Sequence, residues 1–196
     1  MISFCIISRS NELEKLDLCH AHIEVNAPGS EIITVFDKEN TGRLGKLRNE
    51  AISQAKGDVI VSIDNDILIH KDFANGIKEF DYYNPDWLVC SCRLLNVDGS
   101  RHWDWKEHDG ADQLLEYGTT SEHVVLTGGL VIARRELYDT VSWNESLRFY
   151  QQEDINFSNN IKDNGIEILF NPYSTATHND ERYYHKPGGG VLRKYV

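Results

Sequence analysis

The chain has 196 residues and a formal net charge of −11 at pH 7, with 40% hydrophobic and 26% charged residues. This length and composition are typical of one folded domain and exclude two domains of ordinary size. The acidic charge argues against general nucleic-acid binding, which depends on basic surface. No stretch approaches the roughly 20 apolar residues of a membrane span, and the N-terminus lacks a signal-peptide pattern, so we expect a cytoplasmic protein.

Predicted strands alternate with predicted helices in the first third of the chain. The elements are, in chain order, a strand at 2–8, a helix that Ser10 or Asn11 caps, a strand at 31–37, a helix that Gly57 stops, and a strand at 59–63. Each helix carries apolar residues at helical spacing, and each strand is a compact apolar run. This order predicts an α/β fold with a mostly parallel central sheet flanked by helices.

Aspartates stand where two of these strands end. Asp37 is the last residue of the second strand, and Asp64 and Asp66 follow the third. In open α/β sheets, ligands bind outside the carboxyl ends of the strands. Two carboxylates one residue apart can hold a hard cation such as Mg²⁺, which is usually bound by one or two carboxylates plus substrate phosphates. The alternative is a turn in which the Asp and Asn side chains bond nearby backbone groups.

The remainder of the chain is less regular. Its predicted elements are a helix at 73–80, a strand at 87–92, an insertion or long loop at 96–122, a strand at 124–133 that contains Gly128-Gly129, a helix after Glu153-Asp154, a strand at 166–170, and a polar loop with His178. A glycine pair within a strand permits the close approach of a ligand or another backbone.

The cysteines are Cys5, Cys19, Cys90 and Cys92, and they show no zinc-like CxxC spacing. Cys90 and Cys92 would point to the same face of a strand and are expected to be small buried side chains. We expect the thiols to be reduced.

Acidic and basic residues near the C-terminus each allow two interpretations. Glu153 and Asp154 are either acidic residues favoured by the helix dipole or a general base at a rigid helix start. His178 is either an ordinary loop histidine or a metal ligand, and an imidazole beside Asp66 favours Mn²⁺ over Mg²⁺. The basic tail at 183–196 is either solvated or folds onto a phosphate.

The order of these motifs resembles that of the GT-A glycosyltransferases, particularly the family 2-like members. The match runs from Phe4 to His178. Segment 45–66 looks like the Arg-Asn helix of the family followed by its DxD strand, segment 127–135 like its Gly-Gly segment, and segment 143–154 like the stretch that ends in its ED motif.

The resemblance implies a single GT-A (Rossmann-like) domain across residues 1–196. Residues 1–95 would form the nucleotide-binding half and residues 96–196 the acceptor half, with the tail at 183–196 as a lid. It also implies a nucleotide-sugar donor, a carbohydrate or other hydroxyl acceptor, and a hexosyltransferase type of reaction.

For the donor side, the resemblance implies a metal site and a nucleotide site. Asp66 and His178 would ligate Mn²⁺ or Mg²⁺, and Asp64 would contact the ribose or a metal-bound water. Asp37 would face the nucleobase, and Arg48 would lie beside the nucleotide pocket.

For the reaction itself, the resemblance implies that Asp154 is the general base and that Glu153 binds the acceptor hydroxyl. Gly128 and Gly129 would lie near the sugar and the acceptor. A base on the far side of the sugar from the departing phosphate favours inversion of configuration, although some enzymes with similar motifs retain it.

Two other functions stay open. The first is a nucleotidyltransferase, which usually carries a glycine-rich basic loop after the first strand, and residues 7–11 contain no glycine. The second is a non-catalytic module that binds a nucleotide sugar or a carbohydrate. Trp103 and Trp105 either stack on a sugar ring or pack onto the domain. The donor sugar, the nucleobase, the acceptor and the oligomeric state do not follow from the sequence.

Overall fold

The computed structural model describes residues 1–179 and, as backbone strands, residues 183–186 and 190–193. The strands are β1 (Ile2–Ser8), β2 (Glu31–Phe36), β3 (Val59–Asp64), β4 (Ile67–Ile69), β5 (Val89–Asn96), β6 (Lys106–His108), β7 (Asp112–Leu114), β8 (Val124–Val125), β9 (Leu130–Arg134), β10 (Ile168–His178), β11 (Tyr183–Lys186) and β12 (Gly190–Arg193). The helices are α1 (Leu13–Asn26), α2 (Leu44–Gln54), α3 (Phe73–Tyr83) and α4 (Glu153–Asp163), with a short 3₁₀ helix at Arg135–Asp139.

A seven-stranded sheet with the order β2-β1-β3-β9-β5-β10-β4 forms the centre of the domain. Strands β2, β1 and β3 are mutually parallel, and β5 is parallel to β10. Strand β9 lies antiparallel between β3 and β5, and β4 is antiparallel to β10 at the edge. The predicted mostly parallel sheet flanked by helices is therefore confirmed.

Helices cover both faces of this sheet. Side chains from α1 and α3 pack on one face, together with Phe4 and Ile6 of β1. Side chains from α2 and α4 pack on the other face, with Cys5 and Ile7 of the same strand. Because successive strand side chains point to opposite faces, a strand covered on both sides is mostly apolar, as the run Phe4-Cys-Ile-Ile7 of β1 is.

Segment 96–125 folds into a separate small sheet with the order β7-β6-β8. Asp104 anchors it, because this buried carboxylate accepts hydrogen bonds from Arg101 Nε at 2.7 Å, Tyr117 Oη at 2.5 Å, Trp105 N at 2.8 Å and Leu94 N at 3.2 Å. These donors come from the segment itself and from the end of β5. The predicted insertion is therefore an ordered element tied to the central sheet.

Two predicted helix boundaries are wrong. Helix α1 begins after Glu12 without a side-chain cap, so neither Ser10 nor Asn11 caps it. Helix α2 ends at Gln54, before Gly57. A Cβ at Gly57 would lie 2.6 Å from the Met1 carbonyl oxygen, so this glycine permits close packing against the start of β1.

Two predicted strand positions are also corrected. The run 124–133 is divided at the glycine pair into β8 and β9, which belong to different sheets. His178 is the last residue of β10 and pairs in register with Ile67 of β4. The histidine is thus held by a sheet edge and does not lie in the predicted polar loop.

All four cysteines are free and buried, as expected for Cys90 and Cys92. Burial raises the pKa of the Cys5 and Cys19 thiols to about 12, which disfavours the reactive thiolate. In the part of the chain that the structure describes, no helix combines the length and apolar character required to cross a membrane.

Candidate active site

A cavity of about 630 Å³ lies where β1 and β3 end, between the starts of α2 and α4. Every residue that the motifs single out lines this cavity, namely Asp37, Arg48, Asp64, Asp66, Gly128, Gly129, Glu153, Asp154 and His178. The predicted donor, metal and catalytic residues therefore share one site.

Arg48 is buried in the wall of the cavity and joins two of its parts. Its Nη2 donates to Asp64 Oδ1 and to the Gly128 carbonyl oxygen, both at 2.8 Å. The guanidinium lies 4.7 Å from the centre of the Trp143 ring, and the Arg48 side chain is 1% exposed. Arg48 thus holds the end of β3 against the glycine pair, as a buried cation needs a paired anion.

Asp64 lies in an acidic environment at the end of β3. Burial raises the pKa of Asp64 to about 6, with Arg48 opposing the shift and the negative charges of Asp66 and Glu153 adding to it. Its side chain is still 32% exposed, toward the cavity. The Asp64 backbone nitrogen also donates to the Gly129 carbonyl oxygen at 2.9 Å, which fixes the glycine pair beside the carboxylate.

Asp66 and His178 form the pair with metal-binding chemistry. Asp66 Oδ1 lies 3.8 Å from His178 Nε2, and Asp66 Oδ2 lies 3.6 Å from Lys15 Nζ. The His178 ring stacks on His102 with centroids 4.6 Å apart. The Asn179 backbone nitrogen donates to the Asp66 carbonyl oxygen at 2.7 Å, which ties the two segments together.

This pair passes a test of fit for a divalent cation. Asp66 Oδ1 is buried and has no hydrogen-bond partner among the described residues, which leaves a carboxylate oxygen available to a cation. A carboxylate oxygen with an imidazole nitrogen suits Mn²⁺. Within residues 1–179, no three His, Cys, Asp or Glu side chains are placed to hold a metal. The pair therefore fits an ion whose other positions are filled by phosphate oxygens and water.

Asp37 organises the loop between β2 and α2. Its Oδ1 accepts from Thr41 N at 2.9 Å and its Oδ2 accepts from Gly42 N at 2.8 Å. Burial alone would raise the pKa of Asp37, but these hydrogen bonds and that of the Thr41 hydroxyl outweigh it, so the pKa is lowered. Asp37 thus stays ionised and shapes the loop at the cavity wall.

Glu153 and Asp154 form the first turn of α4. Burial raises the pKa of Glu153. Asp154 Oδ1 accepts from Ile155 N at 2.9 Å, and Asp154 Oδ2 lies 3.4 Å from Lys106 Nζ. A Cβ at Gly128 would lie 3.3 Å from the Asp154 Cβ, so a glycine there leaves space for the aspartate.

The small sheet and the segment leading into it supply cavity residues that the motifs do not identify. They are His102, Lys106, His108 and Asp112. The only sequence signal was the aromatic, His-rich and Asp-rich composition of the insertion. The two tryptophans behave differently, because Trp103 lines the cavity while Trp105 is 3% exposed and packs on Phe170.

The cavity mouth is aromatic and its backbone is unusual. Phe149 and Tyr150 stand on the rim with exposed fractions of 38% and 60%. Tyr150 and Gln152 have φ values of +67° and +57°, in the left-handed region that non-glycine residues rarely occupy. Such outliers are concentrated at functional sites, where surrounding structure supports their strain.

The topology and the cavity define a GT-A type of domain. The family model of glycosyl transferase family 2 matches residues 15–142, well over half of the chain. The chain belongs to glycosyl transferase family 2. Among curated proteins, none matches it significantly.

Three solved structures illustrate the shared fold. S. aureus TarS 1-349 has a TM-score of 0.66 at 17% identity, over 90% of this chain and 60% of that one. The catalytic domain of Drosophila beta1,4galactosyltransferase 7, in complex with xylobiose, has a TM-score of 0.62 at 15% identity. The match covers 100% of this chain and 75% of that one. GalNAc-T7 with UDP, GalNAc and Mn²⁺ has a TM-score of 0.70 at 14% identity. The match covers 95% of this chain and 45% of that one. The chain thus spans 60% of the length of TarS 1-349.

Proposed function

We propose that this domain transfers a sugar from a nucleotide-sugar donor to an acceptor hydroxyl, with a divalent metal, with Asp154 as general base and with inversion of configuration. One observation carries the proposal, which is that a single cavity holds both the Asp66–His178 pair and the carboxylate of Asp154. Membership of glycosyl transferase family 2 supports sugar transfer as the reaction class.

The proposed reaction exchanges one bond for another at the anomeric carbon. Asp154 takes the proton of the acceptor hydroxyl as that oxygen bonds to the anomeric carbon, because a hydroxyl alone is a weak nucleophile. The bond from the anomeric carbon to the phosphate oxygen breaks, and the nucleoside diphosphate leaves with the electron pair. Glu153 would accept a hydrogen bond from the acceptor or its neighbouring hydroxyl.

Asp66 and His178 would hold the metal. When bound, a divalent ion acts as a Lewis acid that stabilises charge on the diphosphate leaving group. GalNAc-T7, which shares the fold, was solved with Mn²⁺, and this supports testing Mn²⁺ before Mg²⁺. Asp64, held by Arg48, would contact the ribose or a metal-bound water.

The nucleotide would lie along the first half of the chain and the acceptor along the second. Asp37 would face the base beside the loop that it organises. TarS and GalNAc-T7 have both been solved with UDP, so uridine diphosphate sugars are the first donors to test. Trp103, together with the rim aromatics Phe149 and Tyr150, would offer flat apolar faces to the acceptor. The tail at 183–196 as a lid stays a prediction, because residues 187–189 and 194–196 lie outside the described residues and the rest of the tail is described as backbone alone.

A thermal-shift screen of nucleotide sugars, each with and without Mn²⁺, tests the proposal. A ligand that binds only the native state raises its apparent stability, so the correct donor should give a metal-dependent rise in Tm. With the donor known, NMR of the product should show an inverted anomer. Retention would refute the inverting assignment, and pyrophosphate release from a nucleoside triphosphate and a sugar phosphate would indicate the nucleotidyltransferase alternative.

A further inference from the structure

Lys106 is a buried cation beside the candidate base. It lies in β6, the central strand of the small sheet, and its side chain is 6% exposed. Its Nζ is 3.1 Å from Asp112 Oδ2 and 3.4 Å from Asp154 Oδ2. A buried ammonium is stable only when it is paired, so Lys106 depends on these two carboxylates.

Asp112, the second partner of Lys106, has a further contact of its own. Asp112 Oδ1 lies 2.8 Å from His108 Nδ1, while Asp112 Oδ2 accepts a hydrogen bond from Lys106 Nζ. Partial burial would raise the pKa of Asp112, but the Lys106 charge and the hydrogen bonds from His108 and Lys106 outweigh it and lower the pKa. Asp112 therefore remains an anion that holds the ammonium in place.

The two oxygens of Asp154 are anchored by different elements. Oδ1 accepts a hydrogen bond from the Ile155 N–H of α4, and Oδ2 accepts one from the Lys106 ammonium of β6. Two anchors of separate origin restrict rotation of the carboxylate, and an ionised carboxyl has about four lone-pair sites, so both oxygens can still accept another hydrogen bond. The Asp154 side chain is 23% exposed, at the cavity.

We propose that Lys106 is a positioning residue that orients the Asp154 carboxylate toward the acceptor hydroxyl. This inference rests on the proposed function, in which Asp154 is the base. The small sheet would then do more than cover the cavity, because its Lys106–Asp112–His108 chain sets the geometry of proton removal. A misplacement of about 1 Å at a reacting group can lower a rate about 100-fold.

The test compares Lys106→Met and Lys106→Arg with the parent in steady-state transfer assays. We expect Lys106→Met to lower kcat about 100-fold while the donor KM changes less than about twofold, because the donor side keeps its contacts. Lys106→Arg keeps the charge and should recover most of kcat. An unchanged kcat in Lys106→Met, or no recovery in Lys106→Arg, would overturn the positioning role.

Lys162→Met is the matched control. Lys162 also joins α4 to the segment that carries the small sheet, because its Nζ donates to the Glu122 carbonyl oxygen at 3.0 Å. The Lys162→Met substitution removes a lysine contact between α4 and the segment of the small sheet, and it leaves the contacts of Asp154 in place. We expect a kcat within about twofold of the parent, and a loss equal to that of Lys106→Met would show that Lys106 acts only through general stability.

Crystal structures of the parent and Lys106→Met separate this inference from the proposed function. We expect the Asp154 carboxylate to change rotamer or to become disordered in the variant. The same single rotamer in both would overturn the positioning role whatever the activity. Parental turnover by Asp154→Asn would refute the base assignment, and with it the catalytic role of Lys106. In that case the crystal structures would still show whether Lys106 orients the Asp154 carboxylate.

Discussion

The Arg48 guanidinium donates a 2.8 Å hydrogen bond to the Asp64 carboxylate, and only 1% of the Arg48 side chain is exposed. The same nitrogen also reaches the Gly128 carbonyl oxygen. This arrangement makes the candidate donor site depend on a buried ion pair. The effect of the Arg48–Asp64 ion pair on stability can be measured apart from any catalytic role.

Arg48→Met should lower the free energy of unfolding by about 3 kcal/mol. This is the lower end of the range of about 3–5 kcal/mol that follows removal of one partner of a buried ion pair. The low end applies because Asp64 is 32% exposed and can take up a proton once the cation is gone. Denaturant unfolding measures the change. Lys46→Met, at an exposed position of the same helix, should change stability by less than about 0.5 kcal/mol. Equal effects of the two substitutions would contradict the role of the pair.

Asp154→Asn should abolish most sugar transfer and leave donor binding largely intact. General-base catalysis typically contributes about 10²- to 10⁴-fold, so a kcat loss in that range is expected. Asp66→Ala should weaken both transfer and metal-dependent donor binding, because Asp66 would hold the metal. Turnover assays together with calorimetry of donor binding, with and without Mn²⁺, distinguish the loss of catalysis expected for Asp154→Asn from the loss of both functions expected for Asp66→Ala.

The control for Asp154→Asn is Asp163→Asn, which removes an exposed carboxylate at the far end of α4. It should transfer sugar at nearly the parental rate. If Asp154→Asn also transfers sugar at nearly the parental rate, the domain uses another base.

Stability should fall in acid partly through Glu31. Hydrogen bonds from the Ser3 hydroxyl at 2.6 Å and from Lys56 N at 2.7 Å lower the pKa of Glu31. Its folded pKa lies below its unfolded value of about 4.3, so its contribution is present above that value and disappears as pH falls through the folded pKa. The parent should therefore exceed Glu31→Gln in stability at pH 7, and the difference should shrink toward pH 3.

Urea unfolding at several pH values measures this difference. Glu24→Gln, at an exposed position in α1, should show no comparable pH-dependent gap from the parent. A gap between the parent and Glu31→Gln that stays constant from pH 7 to pH 3 would show that the hydrogen bonds do not act through the Glu31 charge.

Gly76→Ala should destabilise the fold. A Cβ at Gly76 would lie 2.3 Å from the Tyr173 carbonyl oxygen, so α3 would have to move away from β10. Overpacking of this kind typically costs about 1–3 kcal/mol. Thermal unfolding measures the loss, and Glu79→Ala, at an exposed position of α3, should show little change. A Gly76→Ala variant as stable as the parent would show that the helix shifts freely.

The sequence was sufficient to predict elements that depend on local pattern. The alternation of apolar runs with helical spacing predicted β1, α1, β2, α2 and β3 in order, and the carboxylates at the strand ends predicted the edge of the sheet where the cavity lies. Helix boundaries were less accurate, as at Gly57, because a glycine used for close packing has the same sequence signal as one that ends a helix.

Sequence alone determined which side chains to look for in the site, since Asp64, Asp66, Glu153, Asp154 and His178 were predicted by type and order and all line the cavity. Tertiary structure alone decided how they are held. Strand β9 enters antiparallel beside β3 and places the glycine pair on Asp64, and the small sheet brings Lys106 to Asp154 across 48 positions of the chain. Periodicity reports only which face of an element is buried, whereas such contacts depend on how distant elements pack, and no local pattern encodes that.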